Sequence, residues 1–123
     1  MSTRLLGDID PKVQRAASVL AWATWHGVAP TAVLLDGLHT SSVTDNAQGQ
    51  WTITWSRAIA PGTDYAVMGF ARRNITSSPT GVGLSARSGT YLAPTSVAVS
   101  ANEMAADALV DCSYVSLIAV GAP

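Results

Sequence analysis

Two histidines, one cysteine and eight acidic residues are the groups with which this 123-residue chain could run chemistry. His26 and His39 lie near Gly27, Asp36 and Gly37, so a metal or acid–base site there can be imagined. Metal centres want three or four ligands, however, and neither Cys112 nor the carboxylates stand at a ligand spacing from these histidines. Polar residues at strand ends account for them better. Serines are plentiful, but no Gly-x-Ser-x-Gly elbow marks one as a nucleophile. Gly81-Val82-Gly83 has no helix behind it to cradle a phosphate. The acidic residues are thinly spread and mostly flank turns, which leaves no carboxylate pair for glycoside hydrolysis. The expectation is a protein that is not an enzyme, with no catalytic, cofactor or metal site.

What remains for recognition is aromatic and cationic. Trp51 and Trp55 share one face of a strand and are most simply core, although exposed aromatics on a rigid sheet are also what a sugar platform uses. Trp22 and Trp25 are three residues apart on one strand and so point to opposite faces. One of them is expected to point away from the core, where an oligomer would use it as an interface anchor. Arg57, Arg72, Arg73 and Arg87 fall at loops or strand ends, solvated or in subunit contacts. The candidate contacts with other subunits or with a glycan are therefore Trp22, Trp25, His39, Arg72 and Arg73.

The elements that must position these residues are strands. From Gln50 to Ser56, Trp51, Ile53 and Trp55 alternate with Thr52 and Thr54, the two-residue period of a half-buried strand. Asp45-Asn46-Ala47-Gln48-Gly49 before it is hairpin chemistry, which places a partner strand at roughly 38–44. Ala60-Pro61-Gly62-Thr63-Asp64 is a second turn, and Tyr65 to Ala71 reads as a third strand, completing a meander. Leu20 to Gly27 favours a strand because aromatics and Thr fit a pleated surface. Val33-Leu34-Leu35 is a short strand ended by Asp36-Gly37. Asp10-Pro11 is a helix start, with Asp as N-cap and Pro at the first helical position, and predicts a short helix over 11–19. Beyond Phe70, 72–89 reads as a long loop holding one weak strand at Val82 and Leu84. Alternation returns at Thr95 to Ser100, and Asn102 to Asp107 reads as a loop or helical turn. The nearly continuous apolar run from Asp111 to Val120 suits a strand buried on both faces, in a sandwich or at a subunit contact. The pattern predicts an all-β antiparallel sandwich of about seven short strands over 20–123, with an N-terminal arm or helix over 1–19.

Only 12% of the residues are charged, against about 25% in an average soluble protein. Either other subunits cover much of the surface, or the sheets wear a Ser/Thr coat in place of charge. Net charge is −1, and the basic residues are scattered, so there is no stripe for nucleic acid. No apolar run approaches the roughly 18 residues of a membrane helix, and no signal-peptide layout opens the chain, which predicts a product without an export address. Asn74-Ile75-Thr76 matches a glycosylation acceptor that such a product would not use. A single cysteine excludes an internal disulfide, and Cys112 reads as a small buried apolar residue.

Three blocks then fall in a recognisable order: Ala21-Trp22-Ala23-Thr24-Trp25-His26-Gly27, then Ser41 through Gly49 to Trp55, then Ala60-Pro61-Gly62-Thr63-Asp64-Tyr65-Ala66-Val67. Their order and spacing over 21–70 resemble a domain common at the ends of bacteriophage tail fibres. That family runs as Ala-Trp-Val-Asn-Phe-x-Gly, a polar stretch, a Gly-containing hairpin, Tyr-Thr-Val-x-Phe and Asn-Tyr-Ala-Val. Here Thr24-Trp25 and His39-Thr40 replace residues that are usually Asn-Phe and Asn-Val. The resemblance implies a β-sandwich, a homotrimeric or otherwise repeated assembly, and a place on the virion surface after synthesis in the bacterial cytoplasm. Its expected partners are copies of itself, other virion proteins and host surface glycan. Two further readings are a capsid decoration or head-fibre protein and a lectin-like module outside any virion.

Overall fold

Alternation of side chains builds this molecule, and the strand Gln50–Trp55 shows it most simply: Trp51, Ile53 and Trp55 are buried while Gln50, Thr52 and Thr54 are half-buried on the other face. The computed structural model describes residues 18–28, 32–63, 65–72, 82–86, 92–103 and 108–121. They form β1 (Ser18–His26), β2 (Val33–Leu38), β3 (Thr40–Ala47), β4 (Gln50–Trp55), β5 (Tyr65–Arg72), β6 (Val82–Ala86), β7 (Leu92–Ala93), β8 (Ser96–Glu103), β9 (Ala108–Leu109) and β10 (Tyr114–Gly121). Sheet A has the order β2-β1-β10-β5 and sheet B the order β3-β4-β8-β6, with β7 and β9 also pairing with β8. Every pairing is antiparallel, and the two sheets form a β-sandwich.

The β3–β4 hairpin turns at Gln48-Gly49, tighter than the five-residue loop read from sequence, with Ala47 opposite Gln50. Gly49 holds φ +68°, its N–H donates to Asp111 Oδ1 at 2.8 Å, and an added Cβ would lie 2.7 Å from the Val110 backbone. Both the left-handed backbone and the close approach require glycine.

The third strand of the expected meander departs. After β4 the chain crosses to the other layer, and β5 pairs with β10 rather than with β4. Tyr65, the first residue of β5, explains how the crossing is anchored. Its hydroxyl shares its one proton between Ala93 O (2.7 Å) and Ser96 O (2.9 Å) and accepts from Trp55 Nε1 (3.4 Å), tying sheet A to sheet B. Burial, more than these bonds offset, raises the Tyr65 pKa above its ordinary value.

The other crossing, from β2 to β3, is a corner at His39, which takes φ +54°. Asp36-Gly37 does not end β2 as expected; the strand continues to Leu38. Thr40 Oγ1 then donates to Trp22 O at 2.7 Å, fastening the corner to β1.

Trp25, Trp51, Ile53, Val97, Val99, Val115, Leu117 and Cys112 are the largest fully buried side chains. Trp25 and Trp51 meet edge to face, ring centres 5.8 Å apart and planes at 68°. Such pairs add about 0.5–1.5 kcal/mol beyond the area they bury. Gly27 permits this packing, since a Cβ there would sit 2.5 Å from Trp51 Cζ2.

The expected helix over 11–19 lies outside the described residues up to residue 17, while Ser18 and Val19 belong to β1. The weak strand near Val82 is β6, and Asn102 and Glu103 belong to β8 rather than to a loop. Among the described residues no helix is long and apolar enough to cross a membrane.

Candidate interaction face

Within the chain, strand β10 is buried on one face only, so of the two settings expected for a doubly buried strand the sandwich core supplies one face and a subunit contact would have to supply the other. Val115, Leu117 and Ala119 enter the core, whereas Tyr114, Ser116 and Ile118 are exposed. The run looks continuous in sequence because both of its faces carry apolar residues. Only the inner set meets the core.

Cross-strand register carries that outer set over the whole sheet. Trp22 stands opposite Leu38 on one side and Ile118 on the other, and Ile118 stands opposite Met68. Leu38, Trp22, Ile118 and Met68 thus form one apolar row across all four strands, with neighbouring Cβ atoms about 4.5–5.5 Å apart. Met68 is 57% exposed, and Leu38 and Ile118 are also exposed. Val19, Trp22, Leu38 and Ile118 line a hollow of about 560 Å³ over β1, β2 and β10. β2 adds exposed Val33 and Leu35 on a strand that, among the described residues, pairs only with β1.

The next row is Asp36, Thr24, Ser116 and Phe70, where Thr24 Oγ1 and Ser116 Oγ bond at 3.0 Å. Beyond it the chemistry changes again. Arg72 pairs in register with Tyr114, its guanidinium 4.5 Å from the ring centre. The His26 ring lies on Tyr114 as well, with ring centres 4.6 Å apart, and its Nδ1 donates to Ser113 O at 2.6 Å.

Of the sequence candidates, Trp22 and Arg72 stand on this outer face. Trp25 does not: it is fully buried against Trp51, so the role of glycan or subunit contact expected of it is corrected to a core role. The three-residue spacing was read correctly, and Trp22 is the member that faces out. His39 stands at the β2–β3 corner, where its Nε2 accepts from Arg57 Nη2 at 2.9 Å. Arg73 and Arg87 lie outside the described residues. Among the described residues no group of three His, Cys, Asp or Glu side chains is placed to hold a metal ion.

Sequence reasoning missed Phe70, Met68, Ile118, Leu38 and Tyr114. A signal for two of them is present in β5, where Met68 and Phe70 alternate with Val67, Gly69 and Ala71. The large residues face outward and the small ones inward, because a Cβ at Gly69 would collide with Ser116 O and with Leu84 of β6. No family model, curated protein or solved structure matches the chain.

Proposed function

We propose that this chain is a non-enzymatic structural protein of a bacteriophage virion, a tail-fibre-like β-domain that assembles with copies of itself through the apolar row on the outer face of sheet A. The single observation that carries the assembly is the uncharged row Leu38–Trp22–Ile118–Met68 lying open across four strands. Copies packed on this row would bury it with no charge to desolvate, and the homotrimer itself rests on the resemblance. The place on the virion, the other virion proteins as partners and the contact with host surface rest on the three blocks between 21 and 70 that resemble the tail-fibre domain. In this reading residues 1–19 dock the domain to its neighbours.

Light scattering on a size-exclusion column tests the assembly. The expected result is a particle of about three times the 12.7 kDa chain mass, reduced to the chain mass by Ile118→Lys. A monomer at micromolar concentration overturns it.

A further inference from the structure

The end of this same face beyond the Thr24–Ser116 pair has a different chemistry from the apolar row. Phe70 is 83% exposed, with its ring on a strand rather than on a loop. Its cross-strand neighbour is Ser116, whose small side chain cannot cover it. Beside them Tyr114 is held between two flanking groups, the Arg72 guanidinium at 4.5 Å and the His26 ring at 4.6 Å. His26 is itself fixed by its bond to Ser113 O. Among the described residues Arg72 contacts that ring and pairs with no carboxylate. Between Phe70, Arg72, Tyr114 and Ser116 lies a depression of about 480 Å³, within the roughly 300–1,000 Å³ range of small-molecule sites.

We infer that this depression is a binding site for a carboxylate-bearing sugar, a hexuronic acid unit of a glycan. Each group has one task. Phe70 offers an apolar surface to the C–H face of the pyranose ring. The Arg72 guanidinium, planar and pre-positioned by Tyr114, donates a bidentate pair of hydrogen bonds to the carboxylate. The Tyr114 and Ser116 hydroxyls meet ring hydroxyls as donor or acceptor. A bare anion would leave Phe70 unused, and a neutral sugar would offer the Arg72 guanidinium no carboxylate. This inference deepens the host-contact part of the proposed function by naming the ligand class, but it does not require assembly.

The test is an NMR titration of the full chain with a glucuronic acid disaccharide, glucose and inorganic phosphate, with light scattering on the same samples. The disaccharide is expected to bind saturably, shifting the Tyr114 and Phe70 resonances, with glucose at least tenfold weaker and phosphate showing no saturation. Phe70→Ala and Arg72→Gln change exposed side chains and are expected to keep the melting temperature; Phe70→Ala abolishes binding, and Arg72→Gln lowers the acidic sugar to the level of glucose. Phosphate binding as tightly as the disaccharide, or no saturable binding of the disaccharide, overturns the inference, as does an unchanged affinity in folded Phe70→Ala. A monomer that binds the disaccharide sinks the assembly and leaves this site standing; an oligomer that does not bind sinks the site alone.

Discussion

Sheets A and B bury similar inner faces and present opposite outer ones. On sheet B the outward positions include Ser42, Thr44, Thr52, Thr54, Ser96 and Ala98, small and mostly hydroxylated. On sheet A the corresponding positions include Trp22, Leu38, Ile118, Met68 and Phe70. Two explanations for the low charge were open in the sequence, a covered surface and a Ser/Thr coat. The hydroxyl coat describes sheet B, and the apolar row of sheet A is the surface that the proposed assembly would cover. A hydroxylated face can stay in water without charge, whereas a row of large apolar side chains left in water calls for a partner, because contiguous apolar patches mark interaction sites.

Substitutions of the same residue type separate burial from exposure most strongly. Trp51→Ala, in the shared core, is expected to cost about 3–5 kcal/mol of folding stability. Trp22→Ala, on the outer face, is expected to cost under about 2 kcal/mol of stability while weakening association. Urea denaturation of both variants at a concentration where the chain is monomeric gives the two values. Equal losses would mean that Trp22 belongs to the core and that sheet A has no separate outer role.

A matched pair of charges separates the faces themselves. Ile118→Lys on sheet A is expected to weaken self-association at least 100-fold, about 2.7 kcal/mol. Thr54→Lys on sheet B is expected to change it less than twofold. Sedimentation equilibrium measures both, and a loss at Thr54 as large as at Ile118 would reverse the assignment of the faces.

The inner face of β4 was legible in the sequence, and the two faces of sheet A were not. Trp51, Ile53 and Trp55 alternate with threonines, so their face could be read directly. In β10 the outward Ile118 sits between Leu117 and Ala119, and apolar neighbours on both faces erase the period. The crossing of β5 to sheet A was equally hidden, because the turn at 60–64 resembles a hairpin and only the long-range anchor of Tyr65 on Ala93 and Ser96 distinguishes the two paths. For the candidate site, the spacing of Trp22 and Trp25 showed that one faces out but not which. Pairings such as Arg72 with Tyr114 bring together residues more than forty positions apart, which no local pattern encodes.

Tyr65 joins the two sheets, and its removal tests how far their difference depends on being held together. Tyr65→Phe keeps the ring and loses the hydroxyl, leaving the carbonyls of Ala93 and Ser96 and the Trp55 N–H without that partner. The expected cost is about 1–3 kcal/mol, since the groups left behind are buried or half-buried. Thermal unfolding followed by tryptophan fluorescence checks it, and a neutral substitution would show that packing alone positions β5.

The smallest effect concerns the open end of sheet B, where two carboxylates approach each other. Asp45 on β3 has its pKa raised above the ordinary 3.8, first by burial and second by repulsion from Asp111. Asp111 is committed to the hairpin turn through its bond to the Gly49 N–H, so it cannot swing away. A raised carboxyl pKa means that the folded chain holds this proton more firmly than the unfolded chain does. Below the unfolded pKa both states are protonated and Asp45 carries no penalty; as pH rises through the folded pKa the ionised form is disfavoured, and stability falls. Asp45 is largely solvated, so the effect is a few tenths of a kcal/mol, in the range of surface substitutions. Asp45→Asn is therefore expected to raise the melting temperature slightly at pH 7 and to leave it unchanged near pH 3. Asp111→Asn keeps an acceptor for Gly49 and removes the repulsion, so in that background the gain from Asp45→Asn shrinks but, burial being the larger cause, does not vanish. A gain of equal size at both pH values would show that the substitution acts through something other than the charge of Asp45.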